Sequence, residues 1–310
     1  MTADQSIHEP AGGVARGLFH YRVSQVTANN QWQCRDRALD LSIPVVMGVL
    51  NVTPDSFSDG GRFRERDSAL AHARRMIEEG AAIIDVGGES TRPGASPADA
   101  GEELARVIPV IERLRSESGV FISVDTSKPE VMRAAVAAGA DIVNDVRALQ
   151  EPGALQAAAA SGAGLCLMHM QGEPRTMQDA PQYEDVVADV SSFLAARIRE
   201  CRDAGIVAAR LAVDPGFGFG KNVQHNLALL RNLAGLEVLG QPIAVGLSRK
   251  SMLSRLTGRG VEERLPGSVA LAAIAVIHGA RIVRAHDVAA TLDAVRVAAA
   301  VSRGEPLGES

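Results

Sequence analysis

Eight short apolar runs punctuate the chain, and each breaks off at a polar residue that opens into a loop. Residues 45–50 stop at Asn51, residues 81–86 at Gly87-Gly88-Glu89-Ser90-Thr91, and residues 120–124 at Asp125. Residues 142–143 stop at Asn144-Asp145, residues 165–168 at His169, and residues 211–213 at Asp214. The last two runs, 243–245 and 282–283, give way to Gly246-Leu247-Ser248-Arg249-Lys250 and to Arg284-Ala285-His286. Short continuous hydrophobic runs mark buried parallel strands, which are covered on both faces. Strands lying side by side bring their polar ends to one rim, where parallel α/β folds bind ligands.

Between the runs the period changes to that of an amphipathic helix. In residues 99–118, Leu104, Val107, Ile108, Ile111 and Leu114 recur at helical spacing among charged residues. Ser96-Pro97-Ala98-Asp99 and Ser127-Lys128-Pro129-Glu130 both read as an N-cap with an acidic residue three positions later. Gly80, Gly139, Gly162 and Gly279 each stand directly before an alanine that opens the next run, as helix-ending glycines do. The repeating unit is helix, glycine, strand, polar loop. Eight such units in 310 residues predict a closed α/β (β/α)8 TIM barrel. An open Rossmann-like sheet is the alternative, but no GxGxxG follows the first strand. Ahead of the barrel, residues 19–26 and 32–41 predict a short hairpin around Asn29-Asn30 that closes the barrel bottom. Residues 1–17 read as a flexible extension and residues 18–305 as a single catalytic domain.

Composition narrows the class. The chain is 46% hydrophobic and 22% charged, with a mean hydropathy of +0.04, values ordinary for a soluble globular protein. A net charge of −5 argues against a general nucleic-acid binder. No apolar stretch approaches the roughly 18–20 residues of a membrane span. Asp4, His8 and Glu9 stand where a secretory leader needs basic and then apolar residues. Cys34, Cys166 and Cys201 form no CxxC and read as reduced thiols. The expectation is a cytoplasmic protein with no nucleic-acid or membrane partner.

A lone polar residue at a strand end is usually a helix cap or turn former. Several on different strands of one barrel are harder to dismiss, because they converge on one rim. Asp125, Asn144, Asp214 and Lys250 together offer acceptors, an amide and a cation. That set suits a flat heterocycle with an amino-oxo edge, since a carboxylate accepts two N–H bonds from an aminopyrimidinone. Asn51, Thr91, Arg92, Arg284 and His286, at the ends of the first, second and eighth runs, suit phosphate. The Gly-rich segment Asp214-Pro215-Gly216-Phe217-Gly218-Phe219-Gly220-Lys221-Asn222 is no Walker A loop, because the GK pair is not followed by Ser or Thr. It can be a loop that merely needs glycine to turn, but it reads better with Asp214 as a ligand-facing carboxylate and glycines that let the loop pass close to a bound ring. Phe57, an aromatic residue in the polar loop after Asn51, is placed to fold over an aromatic substrate. HExxH motifs and Cys/His clusters are lacking, which argues against zinc. Magnesium binds through few protein oxygens plus substrate phosphate, and Asn51 can supply one. His169 reads as a satisfied rim histidine rather than a ligand.

Residues 47–61 (MGVLNVTPDSFSDGG) and 85–94 (DVGGESTRPG) resemble the two signatures of the dihydropteroate synthases. So do Met168-His169-Met170-Gln171-Gly172, residues 214–221, Ser248-Arg249-Lys250-Ser251 and Arg284-Ala285-His286-Asp287-Val288. The resemblance runs in order from about residue 19 to 302, and Ala285 stands where many members carry valine. It implies a transferase of folate synthesis that joins 6-hydroxymethyl-7,8-dihydropterin diphosphate to p-aminobenzoate, releasing pyrophosphate and 7,8-dihydropteroate. By the same resemblance Asn51 binds Mg2+ on the diphosphate, and Asp125, Asn144, Asp214 and Lys250 hold the pterin. Thr91, Arg92, Arg284 and His286 grip the pyrophosphate. Phe57, Pro93 and Ser251 border the p-aminobenzoate site, where sulfonamides also bind, and Phe219 adds a substrate contact. A homodimer is the family expectation. The mechanism expected is loss of the diphosphate followed by attack of the arylamine on a pterin-methyl cation, with Asp125, Lys250, Arg284 and His286 carrying the catalysis. On this reading Arg284→Ala slows turnover by roughly 10²–10³-fold while leaving the fold intact.

Two other functions fit parts of the pattern. A pterin-dependent methyltransferase shares Asp125, Asn144 and Asp214 but has no use for the first two loops, Arg284 or His286. A non-catalytic pterin-binding paralogue is expected to have lost loop or phosphate residues. Phe57, Asp59, Arg92, Lys250, Arg284 and His286 are all present.

Overall fold

The computed structural model describes residues 30–52, 61–89, 98–173 and 176–305, with side chains from residue 66 in the second segment. An antiparallel hairpin, β1 (Gln31–Cys34) and β2 (Arg37–Asp40), precedes eight parallel strands. These are β3 (Val45–Asn51), β4 (Ile83–Gly87), β5 (Phe121–Asp125), β6 (Ile142–Asp145), β7 (Gly164–Met168), β8 (Leu211–Asp214), β9 (Ile243–Gly246) and β10 (Ala280–Ala285). They follow one another around a closed barrel, and β10 completes it by pairing with β3. Helices α1 (Gly61–Glu78), α2 (Ala100–Glu117), α3 (Pro129–Ala138), α4 (Ala154–Ser161), α5 (Val186–Asp203) and α6 (Val223–Arg231) lie between successive strands. Both α7 (Ser251–Thr257) and α8 (Leu265–Ile277) fall between β9 and β10, and α9 (Val288–Arg303) follows the last strand. No helix among the described residues is long and apolar enough to cross a membrane.

The two-residue period of a strand explains how such short segments build both a core and a site. Val46, Leu50, Ile84, Val86, Ile122, Val124, Leu167, Val213, Val245 and Val283 are buried in one cluster with the inward faces of the helices. Met47, Ile83, Ile142, Cys166, Ala212, Ala244 and Ile282 belong to a second cluster inside the barrel. Two residues further along the same inner face come Asp85, Asn144, Asp214 and Arg284, so the barrel turns from apolar to polar within one layer of side chains.

Trp32, Cys34, Leu39 and Leu41 complete the inner cluster, so the hairpin does close the barrel bottom. The Trp32 indole donates to the Arg210 carbonyl at 2.9 Å, and the Arg35 amide donates to Gly162 O at 3.0 Å. Residues 32–41, expected as one arm of a hairpin, instead hold all but the first residue of its two strands. Gln31 pairs with Asp40 and Cys34 with Arg37, so the chain reverses at Arg35-Asp36 with Arg35 at φ 61°. Residues 19–26 fall outside the described residues.

Two expected caps also move. Asp99 is itself the N-cap of α2, accepting from the Glu102 amide at 2.8 Å, and Ser96 is outside the described residues. Lys128 occupies the N-cap of α3, while the Ser127 hydroxyl donates to Asp145. Proline at the first position and glycine at the end, Gly139 at φ 117°, do bound that helix.

Candidate active site

Arg284 lies at the centre of the polar rim. Its Nε donates to Asp85 Oδ2 at 2.6 Å and its Nη2 to Asp125 Oδ2 at 2.7 Å. Asp85 is wholly buried in the middle of β4, and its Oδ2 also accepts from Asn144 Nδ2 at 3.2 Å. Burial pushes the Asp125 carboxyl up to about 7 against the pull of Arg284, and Asp85, Glu103 and Asp145 add to the rise. Burial opposes the charge on Arg284, but Asp85 and Asp125 outweigh it and hold the guanidinium more firmly protonated than usual.

Across the rim, burial raises Asp214, whose Oδ1 accepts from the Gly216 amide at 2.7 Å. Lys250, at the start of α7, holds its ammonium 4.2 Å from the centre of the Phe219 ring. Burial and then Arg284 lower Lys250 to about 8, against Asp214 and Asp125. His286 follows β10 and meets the Ser248 hydroxyl through its backbone amide at 3.2 Å and Nδ1 at 3.1 Å. Burial, helped by Arg284 and Arg249, lowers its imidazole to about 4, so it is neutral at pH 7. Arg249, at φ 56°, turns outward to an ion pair with Asp287 at 2.6 Å, joining the loops that carry Lys250 and His286.

The glycines of residues 214–221 make close approaches to the protein itself. A methyl group at Gly216 would lie 1.9 Å from His169 O, and one at Gly220 would lie 2.3 Å from Gln171 O. Lys221 locks the turn from beneath: its Nζ lies 2.9 Å from His169 Nδ1 and donates to Gly216 O and Phe219 O, each at 3.0 Å. The His169 ring is buried edge-on against Phe193 at 4.9 Å, and its contact with Lys221 ties it to this loop.

The described structure therefore brings Asn51, Asp125, Asn144, Asp214, Lys250, Arg284 and His286 to one rim, with Ser251 opening α7 beside Lys250. Phe57, Thr91, Arg92 and Pro93 lie outside the described residues. The base of their second loop is fixed: Arg106 donates to Gly88 O at 2.9 Å, and Lys128 bridges Glu89 and the buried Glu103. Two residues of this arrangement were not singled out by sequence reasoning. Asp85 is a charge inside an apolar run, Ile83-Ile84-Asp85-Val86, and Lys221 ends the Gly-rich loop. The first signal was readable, because a carboxylate seldom enters a two-sided buried strand without a partner.

No group of three or more His, Cys, Asp or Glu side chains among the described residues could hold a metal ion. A magnesium carried by phosphate needs less. A methyl group at Gly87 would lie 3.7 Å from Asn51 Oδ1 and 3.8 Å from Asp125 Oδ2, so both oxygens face the space that this glycine leaves open. That donor set fits a hard cation completed by phosphate oxygens and water.

Residues 47–286 match the family of pterin binding enzymes. The chain belongs to that family, and within it to the dihydropteroate synthases, which are transferases. It is 56% identical over 260 residues to the dihydropteroate synthase of Escherichia coli K12, covering 84% of this chain and 92% of that protein. The solved dihydropteroate synthase of Yersinia pestis in a sulfonamide complex superposes with a TM-score of 0.84 at 50% identity, over 88% of this chain and 99% of that one. That of Burkholderia cenocepacia, complexed with 7,8-dihydropteroate, gives 0.79 at 51% identity, over 88% and 97%.

Proposed function

We propose that this rim condenses 6-hydroxymethyl-7,8-dihydropterin diphosphate with p-aminobenzoate, giving 7,8-dihydropteroate and pyrophosphate. The observation that carries the reading is the position of Arg284. It is a firmly charged cation on the inner face, hydrogen-bonded to one acceptor of the heterocycle set, Asp125. A leaving diphosphate and a flat ring can thus be held by adjacent groups. The methyltransferase and paralogue readings give Arg284 and His286 no task.

Asp214 and Asp125 accept N–H bonds from the pterin, Asn144 contributes its amide oxygen, and Lys250 donates to a ring carbonyl or nitrogen. Arg284 and neutral His286 donate to the diphosphate, with Thr91 and Arg92 from the second loop. The bond from the pterin methylene carbon to the diphosphate oxygen breaks with its electron pair on oxygen. The two buried carboxylates steady the cationic ring. The arylamine lone pair then forms the new C–N bond, and that nitrogen sheds a proton. Phe57, Pro93 and Ser251 border the arylamine, and Phe219 contacts substrate. Magnesium, when bound with Asn51 and the diphosphate, neutralises phosphate charge.

These roles set a pH profile. Asp125 acts as a carboxylate acceptor only above its raised value of about 7, and Lys250 is an ammonium only below about 8. kcat/KM for the dihydropterin diphosphate, followed as dihydropteroate formation, is therefore expected to be a narrow bell between those limbs. Lys250→Arg should move the alkaline limb upward by at least about one pH unit, since guanidinium stays charged. A profile with no acid limb would remove the Asp125 role.

A homodimer is part of the same proposal. Helices α8 and α9 leave Ile274, Val297 and Val301 exposed at 41%, 65% and 69%. Sedimentation is expected to give twice 32.5 kDa, with Val297→Glu shifting the protein toward monomer. A monomeric wild type would contradict it.

A further inference from the structure

We propose that Asp85 is a positioning residue for this reaction, aligning through one carboxylate oxygen both the cation for the diphosphate and the amide for the pterin. This rests on the reading of Arg284 and Asn144 given above. Asp85 is wholly buried in the third position of β4, in register with Val49 and Ser123, two uncharged neighbours. A carboxylate at that depth is costly unless paired, and its Oδ1 has no hydrogen-bond partner among the described residues. Its hydrogen bonds to the described residues fall on Oδ2, which accepts Arg284 Nε at 2.6 Å and Asn144 Nδ2 at 3.2 Å.

The two contacts have directional consequences. Tethering Nε from β4 and Nη2 from Asp125 on β5 fixes the guanidinium plane, and Nη1 is the nitrogen that neither carboxylate takes. A lysine or an untethered arginine lacks that constraint. At Asn144 the carboxylate selects the amide orientation: the NH2 group faces Asp85, so the carbonyl oxygen faces away as an acceptor for a ring N–H. Asp85 need not touch substrate. It acts through Arg284 and Asn144, which belong to strands on opposite sides of β4 in the barrel, β10 and β6.

A double-mutant cycle tests this, using Asp85→Asn, Arg284→Met and the pair, in the full-length enzyme supplied with both substrates and Mg2+. Asp85→Asn is expected to lower kcat by roughly 10–100-fold, as loss of an orienting partner does elsewhere. The KM for p-aminobenzoate should stay within about twofold. In the Arg284→Met background the same change should alter kcat by less than about twofold, because its main route of action is gone. Full multiplication of the two losses would overturn the proposal, as would near-normal kcat in Asp85→Asn. If wild type releases no pyrophosphate, the functional reading fails; if wild type is active and the losses multiply, only the Asp85 inference fails. Should Asp85→Asn not fold, NMR of the wild-type arginine Nε–H groups decides. Arg284, assigned by its absence in Arg284→Lys, should give a slowly exchanging, hydrogen-bonded signal. Exchange as fast as that of surface arginines would contradict the tether.

Discussion

Arg284→Ala is expected to slow turnover by roughly 10²–10³-fold, the usual effect of deleting a preorganised donor to developing negative charge. The structure adds a second loss that the sequence did not foresee. Removing the guanidinium strands Asp85, which is wholly buried, with Asn144 as its remaining hydrogen-bond partner among the described residues. Breaking a buried pair by deleting one member costs about 3–5 kcal/mol. The lower end applies here, because the Arg284 side chain is 24% exposed and Asp125 can be reached by water. Steady-state kinetics and urea unfolding measure the two losses separately. Arg284→Lys should recover stability more than turnover, since it keeps the charge but not the fork. Near-normal turnover in Arg284→Ala would remove this residue from the mechanism. Unchanged stability would show that the Asp85 pair is not held in the way described.

Gly216→Ala is expected to damage both the fold and pterin binding. Gly216 sits at φ +69°, where a side chain is strained by roughly 1–3 kcal/mol even in open space. Its added methyl group would also fall 1.9 Å from His169 O, a backbone atom that cannot step aside. The loop must move, and it takes with it the amide that binds Asp214 and the carbonyl that binds Lys221. Loss of an oriented charged acceptor predicts pterin binding weaker by roughly 10–100-fold. Gly162→Ala is the control: its φ is +70°, but nothing lies within 4 Å of the added methyl group. It should lose stability and no pterin affinity. Thermal unfolding and calorimetric titration with a pterin compare the two. Equal affinity in both variants would contradict the role given to the 214–221 loop.

The barrel was legible because its signal is local: eight apolar runs, each with its polar break, need no knowledge of distant contacts. Asp125, Asn144, Asp214, Lys250, Arg284 and His286 stood out for the same reason, as polar residues at strand ends. The interaction between them was not legible. Sequence order puts Arg284 with the phosphate group and Asp125 with the heterocycle group, whereas closure of β10 onto β3 brings their side chains to 2.7 Å. Asp85 was hidden in an apolar run, and its meaning depends on a partner 199 positions away. The glycines of the 214–221 loop were expected to let it pass close to a bound ring, yet the tight approaches of Gly216 and Gly220 are to the carbonyls of His169 and Gln171. Residues 32–41 read as one strand because their apolar and polar positions carry no Gly, Pro or Asn to mark a turn, yet the chain reverses at Arg35-Asp36.

Expulsion of a diphosphate from a pterin, at a rim organised around Arg284, should be visible as free pyrophosphate. The most direct measurement is pyrophosphate release by the wild-type protein given 6-hydroxymethyl-7,8-dihydropterin diphosphate, with and without p-aminobenzoate and Mg2+. Sustained release is expected only when both substrates and Mg2+ are present, with one dihydropteroate formed per pyrophosphate. Absence of release that depends on both substrates would contradict it.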